Sequence, residues 1–145
     1  MNTQLQISPR PELPTAIRLL QDAGLPTEDL TASHIEHFYF AGSAAQPTGL
    51  VGLEIFGDVA LLRSLVVAPE RRGLGDGAKL LEHAERQARS QGVDAIYLLT
   101  TTAESFFTKR GYARTGRDTA PADIRATREF GGICPASSAF MIKTL

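Results

Sequence analysis

Cysteine is almost missing from this chain: the single residue, Cys134, excludes an internal disulfide and any all-cysteine zinc site. An excess of charge is missing too, since 15 Lys and Arg stand against 16 Asp and Glu for a formal net charge of -1. Without a basic field there is nothing to hold a phosphate backbone, so no nucleic-acid partner is expected. No apolar run approaches the roughly 20 residues that cross a bilayer. The opening MNTQLQISPRPELP lacks the apolar stretch of a signal peptide. These absences predict a cytoplasmic protein with no membrane partner. Repeats, low-complexity tracts and long Pro/Gly/Ser linkers are also lacking, which predicts one domain over residues 1–145. What remains is globular: 43% hydrophobic and 21% charged residues, in a chain long enough to bury a full core.

The periodicities alternate between two and three to four. Leu5 and Ile7 alternate with polar neighbours and predict a short strand ending at Pro9. A helix is expected over Glu12 to Ala23, with Ile17 and Leu20 on its apolar stripe and Gly24 at its C-terminal turn. Leu25 to Leu30 has room for one helical turn. His37 to Ala41 (HFYFA) and Leu50 to Phe56 (LVGLEIF) read as strands, and Gly57-Asp58 turns the second into a third, Val59 to Val67 (VALLRSLVV). Beyond Pro69, residues Ala78, Leu81, Ala84, Glu85 and Ala88 mark an amphipathic helix that ends at Gly92. Ala95 to Thr100 is a buried strand, Ala103 to Arg110 a short helix, Pro121 to Phe130 another, and Ser138 to Lys143 a closing strand. Hairpins followed by a β-α-β unit predict an α/β fold with a mixed, mostly antiparallel sheet flanked by helices.

The most informative stretch joins a strand to a helix through Arg72-Gly73-Leu74-Gly75-Asp76-Gly77-Ala78. Glycines reach backbone torsions closed to other residues, so successive N–H groups can converge on one point. The helix start adds unpaired N–H donors and the positive end of its dipole, and Arg72 adds a fixed charge. Such a cradle suits a pyrophosphate. A nucleoside-triphosphate loop would need Gly-Lys followed by Ser or Thr, and a dinucleotide fingerprint would need the third glycine one residue later. A plain strand-to-helix turn requires neither three glycines nor an arginine.

The run Val-x-Pro-Glu-x-Arg-Gly-x-Gly-x-Gly, followed by a helix with Leu-Leu, resembles the coenzyme A-binding motif of the GNAT superfamily of N-acetyltransferases. Thr100 to Tyr112 (Thr-x-x-Ala, Phe-Phe, Gly-Tyr) is similar to the next strand and helix of that superfamily. The resemblance implies that the backbone of Leu65, Val66 and Val67 takes the pantetheine arm and the acetyl carbonyl. It implies that Arg72 to Ala78 takes the pyrophosphate, with acetyl-coenzyme A as co-substrate, no metal, and a small-molecule amine attacking the thioester directly. The C-terminal stretch from Ile124 to Ala139 is similar to the tail of amino-acid acetyltransferases, and, with Leu99-Thr-Thr-Thr-Ala-Glu, to those encoded with arsenic-resistance genes. Domains of this superfamily often pair through sheet edges or C-terminal strands, which leaves a homodimer open. Two alternatives share the cradle: a non-catalytic acyl-coenzyme A sensor, and an enzyme acting on protein lysines or N-termini.

The sequence departs from the superfamily pattern at several points. Asp76 places an acid inside the cradle. Leu61 stands where the usual glutamate base lies, and Phe107 where the usual tyrosine acid lies. Glu54, on the preceding strand, is the substitute base. Tyr112 is a further donor to sulfur, although packing at the helix end is its ordinary role. Strand alternation puts Leu61, Arg63 and Leu65 on one side, so Arg63 is expected to point at the acceptor and fork onto a carboxylate. Arg125 and Arg128, spaced i, i+3 on the predicted helix, are expected to share a face and help hold an anionic group. Cys134, before a proline, reads as a small buried hydrophobe rather than a nucleophile. His34 and His37 have a metal-compatible spacing with no third ligand in the local sequence, and His83 sits alone on its helix.

Overall fold

Strand alternation and helical stripes close into one sheet with a layer of helices on each face. The computed structural model describes residues 5–133 and 137–145. In chain order it contains β1 (Ile7–Pro9), α1 (Leu13–Asp22), α2 (Ala32–Ile35), β2 (Phe38–Gly42), β3 (Pro47–Phe56), β4 (Val59–Val67) and α3 (Asp76–Ser90). β5 (Ala95–Thr100), α4 (Glu104–Thr108), β6 (Ala113–Arg114), α5 (Ala122–Arg125) and β7 (Ala139–Thr144) follow. The strands lie in the order β1-β2-β3-β4-β5-β7-β6. Only β4 and β5 run parallel, because α3 carries the chain back between them; the other neighbours are antiparallel. This is the mixed, mostly antiparallel sheet expected from the sequence. No helix among the described residues is long and apolar enough to cross a membrane.

The two sides of the sheet bury different clusters. Tyr39, Val51, Leu53, Ala60, Leu62 and Ile96 face α3, whose Leu80, Leu81, Ala84 and Ala88 supply the stripe predicted for that helix. Phe38, Phe40, Leu50 and Val66 face α1 and α2. A third group, Leu61, Tyr97 and Phe140, packs on Ile124 of α5. Within the first layer, Tyr112 donates to Glu85 Oε2 (3.0 Å) and Lys143 Nζ lies 3.1 Å from the same carboxylate, a satisfied polar bridge between α3 and β7.

Three local expectations change. Leu25 to Leu30 forms a turn rather than a helical one. The short helix comes later, as α2, where Thr31 and His34 cap each other: the Thr31 N–H donates to His34 Nδ1 (3.2 Å). The helix predicted from Pro121 to Phe130 stops at Arg125, because the Thr127 hydroxyl donates to the Ile124 carbonyl (2.7 Å) and accepts from the Phe130 N–H (3.2 Å). The two-residue strand β6 had no periodic signal to reveal it. Cys134 lies outside the described residues.

Gly52 sits opposite Phe38 in the β2–β3 register, and a Cβ there would overlap the fully buried Phe38 ring. Gly52→Ala is expected to destabilise the domain by about 1–3 kcal/mol, read as a lower midpoint in urea at unchanged slope.

Candidate functional site

β4 departs from both neighbours at one place. Its parallel ladder with β5 has its last register pair at Leu62 and Leu98, and its antiparallel ladder with β3 shifts between Gly52↔Arg63 and Leu50↔Val66. Ser64 and Leu65 therefore have no register partner on either side among the described residues. Ser64 takes a left-handed torsion (φ 60°), rare for a residue with a side chain, which marks a β-bulge. The extra residue reverses the alternation. Leu62 and then Leu65 and Val67 face α3, so Leu65 does not share a side with Leu61 and Arg63 as strict alternation predicted.

The gap beyond Leu62 opens into a cavity of about 500 Å³. The bulged stretch Leu62–Leu65 forms one wall and the end of β5 through Ala103 another, with Phe106 and Phe107 of α4. The loop after α1 (Gly24, Leu25, Pro26, Glu28), Glu129 and Ser138 close the remainder.

Arg63 stands in this wall but does not offer a free fork. Its side chain is 1% exposed and its five N–H donors all meet acceptors. Nη1 and Nη2 grip Asp29, the latter at 2.8 Å from Oδ1; Nη1 also reaches Glu54 Oε2 at 3.0 Å. Nη2 lies 3.0 Å from Glu129 Oε1, and Nε donates to the Ser64 hydroxyl at 3.1 Å. The role expected for Arg63, gripping an acceptor carboxylate, is corrected: its hydrogen bonds are already used inside the protein. Burial disfavours the guanidinium charge, yet the surrounding carboxylates outweigh it and push its pKa up. Burial likewise pushes Asp29 up, and the bonds and charge of Arg63, aided by His34, bring it below the usual carboxylate range.

Glu54 bonds Arg63 through Oε2, while its Oε1 is 3.7 Å from His34 Nε2. Asp29, His34 and Glu54 bring one ligand atom each within 4.8 Å of the others, so the missing third ligand for His34 is supplied by tertiary contact. Two of those three already bond a guanidinium, and Arg63 fills the place a cation would take. His37 does not join the group. His83 packs edge-on against Tyr39.

The glycine cradle forms where expected. Gly73 and Gly75 have φ of 80° and 85°, and Gly75 is the residue before the first turn of α3. A Cβ at either would meet nothing within 4 Å, so torsion rather than space demands glycine. Asp76 is buried and held by Arg71 through a two-bond fork (2.8 and 3.0 Å), which neutralises the acid inside the cradle. Arg72 is exposed, and its Nε donates to the Val67 carbonyl at 3.1 Å. Leu74 projects into solvent, while Gly77 and Ala78 begin the helix and Gly77 lies against Phe106.

Other expected groups stand apart from the cavity. Because α5 ends at Arg125, Arg125 and Arg128 share no helical face: Arg125 bonds the Asp118 carbonyl (2.8 Å) and Arg128 the Glu28 carbonyl (3.4 Å), both exposed. Tyr112 is buried, bonded to Glu85 and pushed well up by burial and that carboxylate, which leaves it a packing residue. Asp29, Glu129 and Ser138 carry no motif in the sequence; Asp29 lies 34 residues from the arginine it binds.

A central parallel pair that separates at a bulge, with a glycine cradle beside the gap, defines the acyl-coenzyme A N-acyltransferase class of fold. The family model described as "Acetyltransferase (GNAT) domain" matches residues 34–114, and the chain belongs to that family. An amino-acid acetyltransferase of Ralstonia nicotianae is 42% identical over 67 residues, covering 46% of this chain and 15% of that protein. One from Neisseria meningitidis is 26% identical over 120 residues, covering 79% and 28%. This chain thus spans well under a third of the length of either. Among solved structures, N-acetylglutamate synthase from Neisseria gonorrhoeae, complexed with coenzyme A and N-acetyl-glutamate, superposes with a TM-score of 0.82 at 22% identity, covering 100% of this chain and 36% of that one. PaiA N-acetyltransferase from Thermoplasma acidophilum, in complex with coenzyme A, gives 0.69 at 20% identity, covering 99% and 100%. The likeness to acetyltransferases encoded with arsenic-resistance genes is not shown by these relatives.

Arg63→Met would remove the buried guanidinium that Asp29, Glu54 and Glu129 share and is expected to cost about 3–5 kcal/mol at neutral pH. The sign then depends on pH. In the wild type, the lowered pKa of Asp29 contributes stability above its unfolded value, lost as pH falls below about 4. In the variant, Asp29 loses the guanidinium that lowers its pKa, so that contribution is absent and the gap in thermal midpoint narrows from pH 7 to pH 4.

Proposed function

We propose that this chain is a single acetyl-coenzyme A-dependent N-acetyltransferase domain, residues 1–145, that acetylates the amine of a small amino-acid-like acceptor. The observation that carries the proposal is the coincidence of two features: the ladder of β4 with β5 stops at Leu62 and opens the cavity, and the glycine cradle beyond β4 lies against Phe106 of the cavity wall through Gly77. Coenzyme A in two of the superposed structures, and the amino-acid acetyltransferase relatives, support the same ligands here.

The parts divide the work. Arg72 to Ala78, with the free N–H groups at the start of α3, hold the pyrophosphate. The backbone of Leu65, Val66 and Val67 lies along the pantetheine arm. Acetyl-coenzyme A supplies an acetyl group already activated as a thioester, so attack by a neutral amine needs only orientation, a donor for the carbonyl oxygen, and removal of a proton. Leu65, unpaired on both sides, supplies a backbone N–H for that oxygen. The thiolate leaves without a tyrosine, since Phe107 has no hydroxyl, and solvent protonates it. Glu54 remains the proposed base, with its Oε2 on Arg63 and its Oε1 toward His34.

One observation favours a second reading, a coenzyme A sensor: Leu61 and Phe107, at the positions of the usual base and acid, are both buried and apolar. The two readings separate in an assay of thiol release from acetyl-coenzyme A with a panel of α-amino acids, polyamines and a lysine peptide. Release with α-amino acids well above hydrolysis is expected. Coenzyme A binding without release would favour the sensor, and no binding would remove both. Gly75→Val, which forces a branched residue into a left-handed torsion, is expected to weaken coenzyme A binding at least about tenfold by calorimetry.

A further inference from the structure

The glycine turn before α3 leaves its backbone donors free. No N–H from Gly73 to Ala78 has a hydrogen-bond partner among the described residues; that of Lys79, bonded to the Gly75 carbonyl at 3.2 Å, is the first to have one. The amides of Asp76, Gly77 and Ala78 belong to the first turn of α3, where the helix dipole adds its positive end. Donors in such an arrangement attract whatever anion can reach them.

The chain carries one such anion within the turn itself. Asp76 is the first residue of α3, and its side chain is 1% exposed. A carboxylate at the start of a helix is drawn to the same amides as a phosphate, and this one is always present. Yet it makes no bond to them. Its Oδ2 accepts from Arg71 Nε at 2.8 Å and its Oδ1 from Arg71 Nη2 at 3.0 Å, so both oxygens are taken. Arg71 is placed for this by the short helical turn Pro69–Arg71, whose last N–H bonds the Ala68 carbonyl at 2.9 Å. The other charged groups of the segment stand aside: Arg72 Nε is on the Val67 carbonyl, and Glu70 and Lys79 are exposed.

Building on the proposed coenzyme A site, we infer that Arg71 is a positioning residue for cofactor binding: it holds the Asp76 carboxylate off the amides of Gly73 to Ala78, which stay open to the pyrophosphate. Arg71 acts through Asp76 and does not touch the ligand. Without its fork, Asp76 is an anion built into the phosphate site. It then competes for the donors and repels the phosphates at close range. The arginine beside the glycines that matters most to affinity is therefore one that binds no phosphate.

Calorimetry with coenzyme A tests this on the wild type, Arg71→Met and the double variant Arg71→Met/Asp76→Asn, with circular dichroism melts to check that each folds. Arg71→Met is expected to weaken binding at least about tenfold. In the double variant the competing charge is gone, and affinity is expected to return to within about threefold of the wild type. A fork that merely stiffened the turn would give no such rescue, since the double variant lacks it too. With an α-amino acid acceptor, Arg71→Met should raise KM for acetyl-coenzyme A while kcat changes less than about twofold. Should Arg71→Met not fold, Arg71→Lys, which keeps the charge and loses the fork, carries the same comparison with and without Asp76→Asn, with an expected loss of about threefold. Unchanged affinity in the folded single variant, or a double variant no tighter than the single, would overturn the inference and leave the proposed activity standing. The expected binding pattern without acetyl transfer to any acceptor would uphold the inference and remove that activity. A wild type that binds no coenzyme A would remove both.

Discussion

A single buried guanidinium ties together four segments that have no local reason to meet. Arg63 joins the loop after α1 through Asp29, β3 through Glu54, the bulge through Ser64, and the turn before β7 through Glu129. A charge taken out of water is tolerated only when its donors are fully used, so each partner is held in place by the need to satisfy the others. The loop after α1 and the turn before β7 are walls of the cavity, and the bulge is its hinge.

The bulge does a second task. A residue inserted into β4 ends regular pairing with β3 at the place where pairing with β5 also ends. Backbone groups that a regular sheet would consume are left for a ligand, and the sheet gains a cleft without losing its core on either face. The glycine turn follows the end of β4 at Val67 and leads directly into α3, so it and the cleft share one strand as support. Asp76 fits because Arg71, five residues earlier, neutralises it.

Most of the fold was legible because it rests on short-range patterns. The apolar runs of β2 to β5, the stripe of α3 and the Gly57 hairpin are properties of neighbouring residues. The strand at the end of the sequence was equally clear, whereas β6, two residues long, offered no period to count. The helix after Pro121 was overread because Thr127 spends its hydroxyl on local carbonyl and amide groups, a competition that periodicity does not register. The cradle was visible as glycine spacing beside an arginine, since positive φ and converging N–H groups are local demands.

The walls of the site were not legible. Arg63 was placed on the acceptor side by alternation, but its partners come from positions up to 34 residues earlier and far downstream. Leu65 was placed on the wrong face because one inserted residue inverts alternation, and nothing in Leu-Arg-Ser-Leu announces an insertion. The amino-acid sequence by itself determined most of the secondary structure, the fold class and the left-handed glycine turn before α3, since each depends on torsions and periods within a few residues. Only the tertiary structure decided which side chains line the cavity and which carboxylates gather on Arg63, because a buried ionic cluster is set by long-range neighbours.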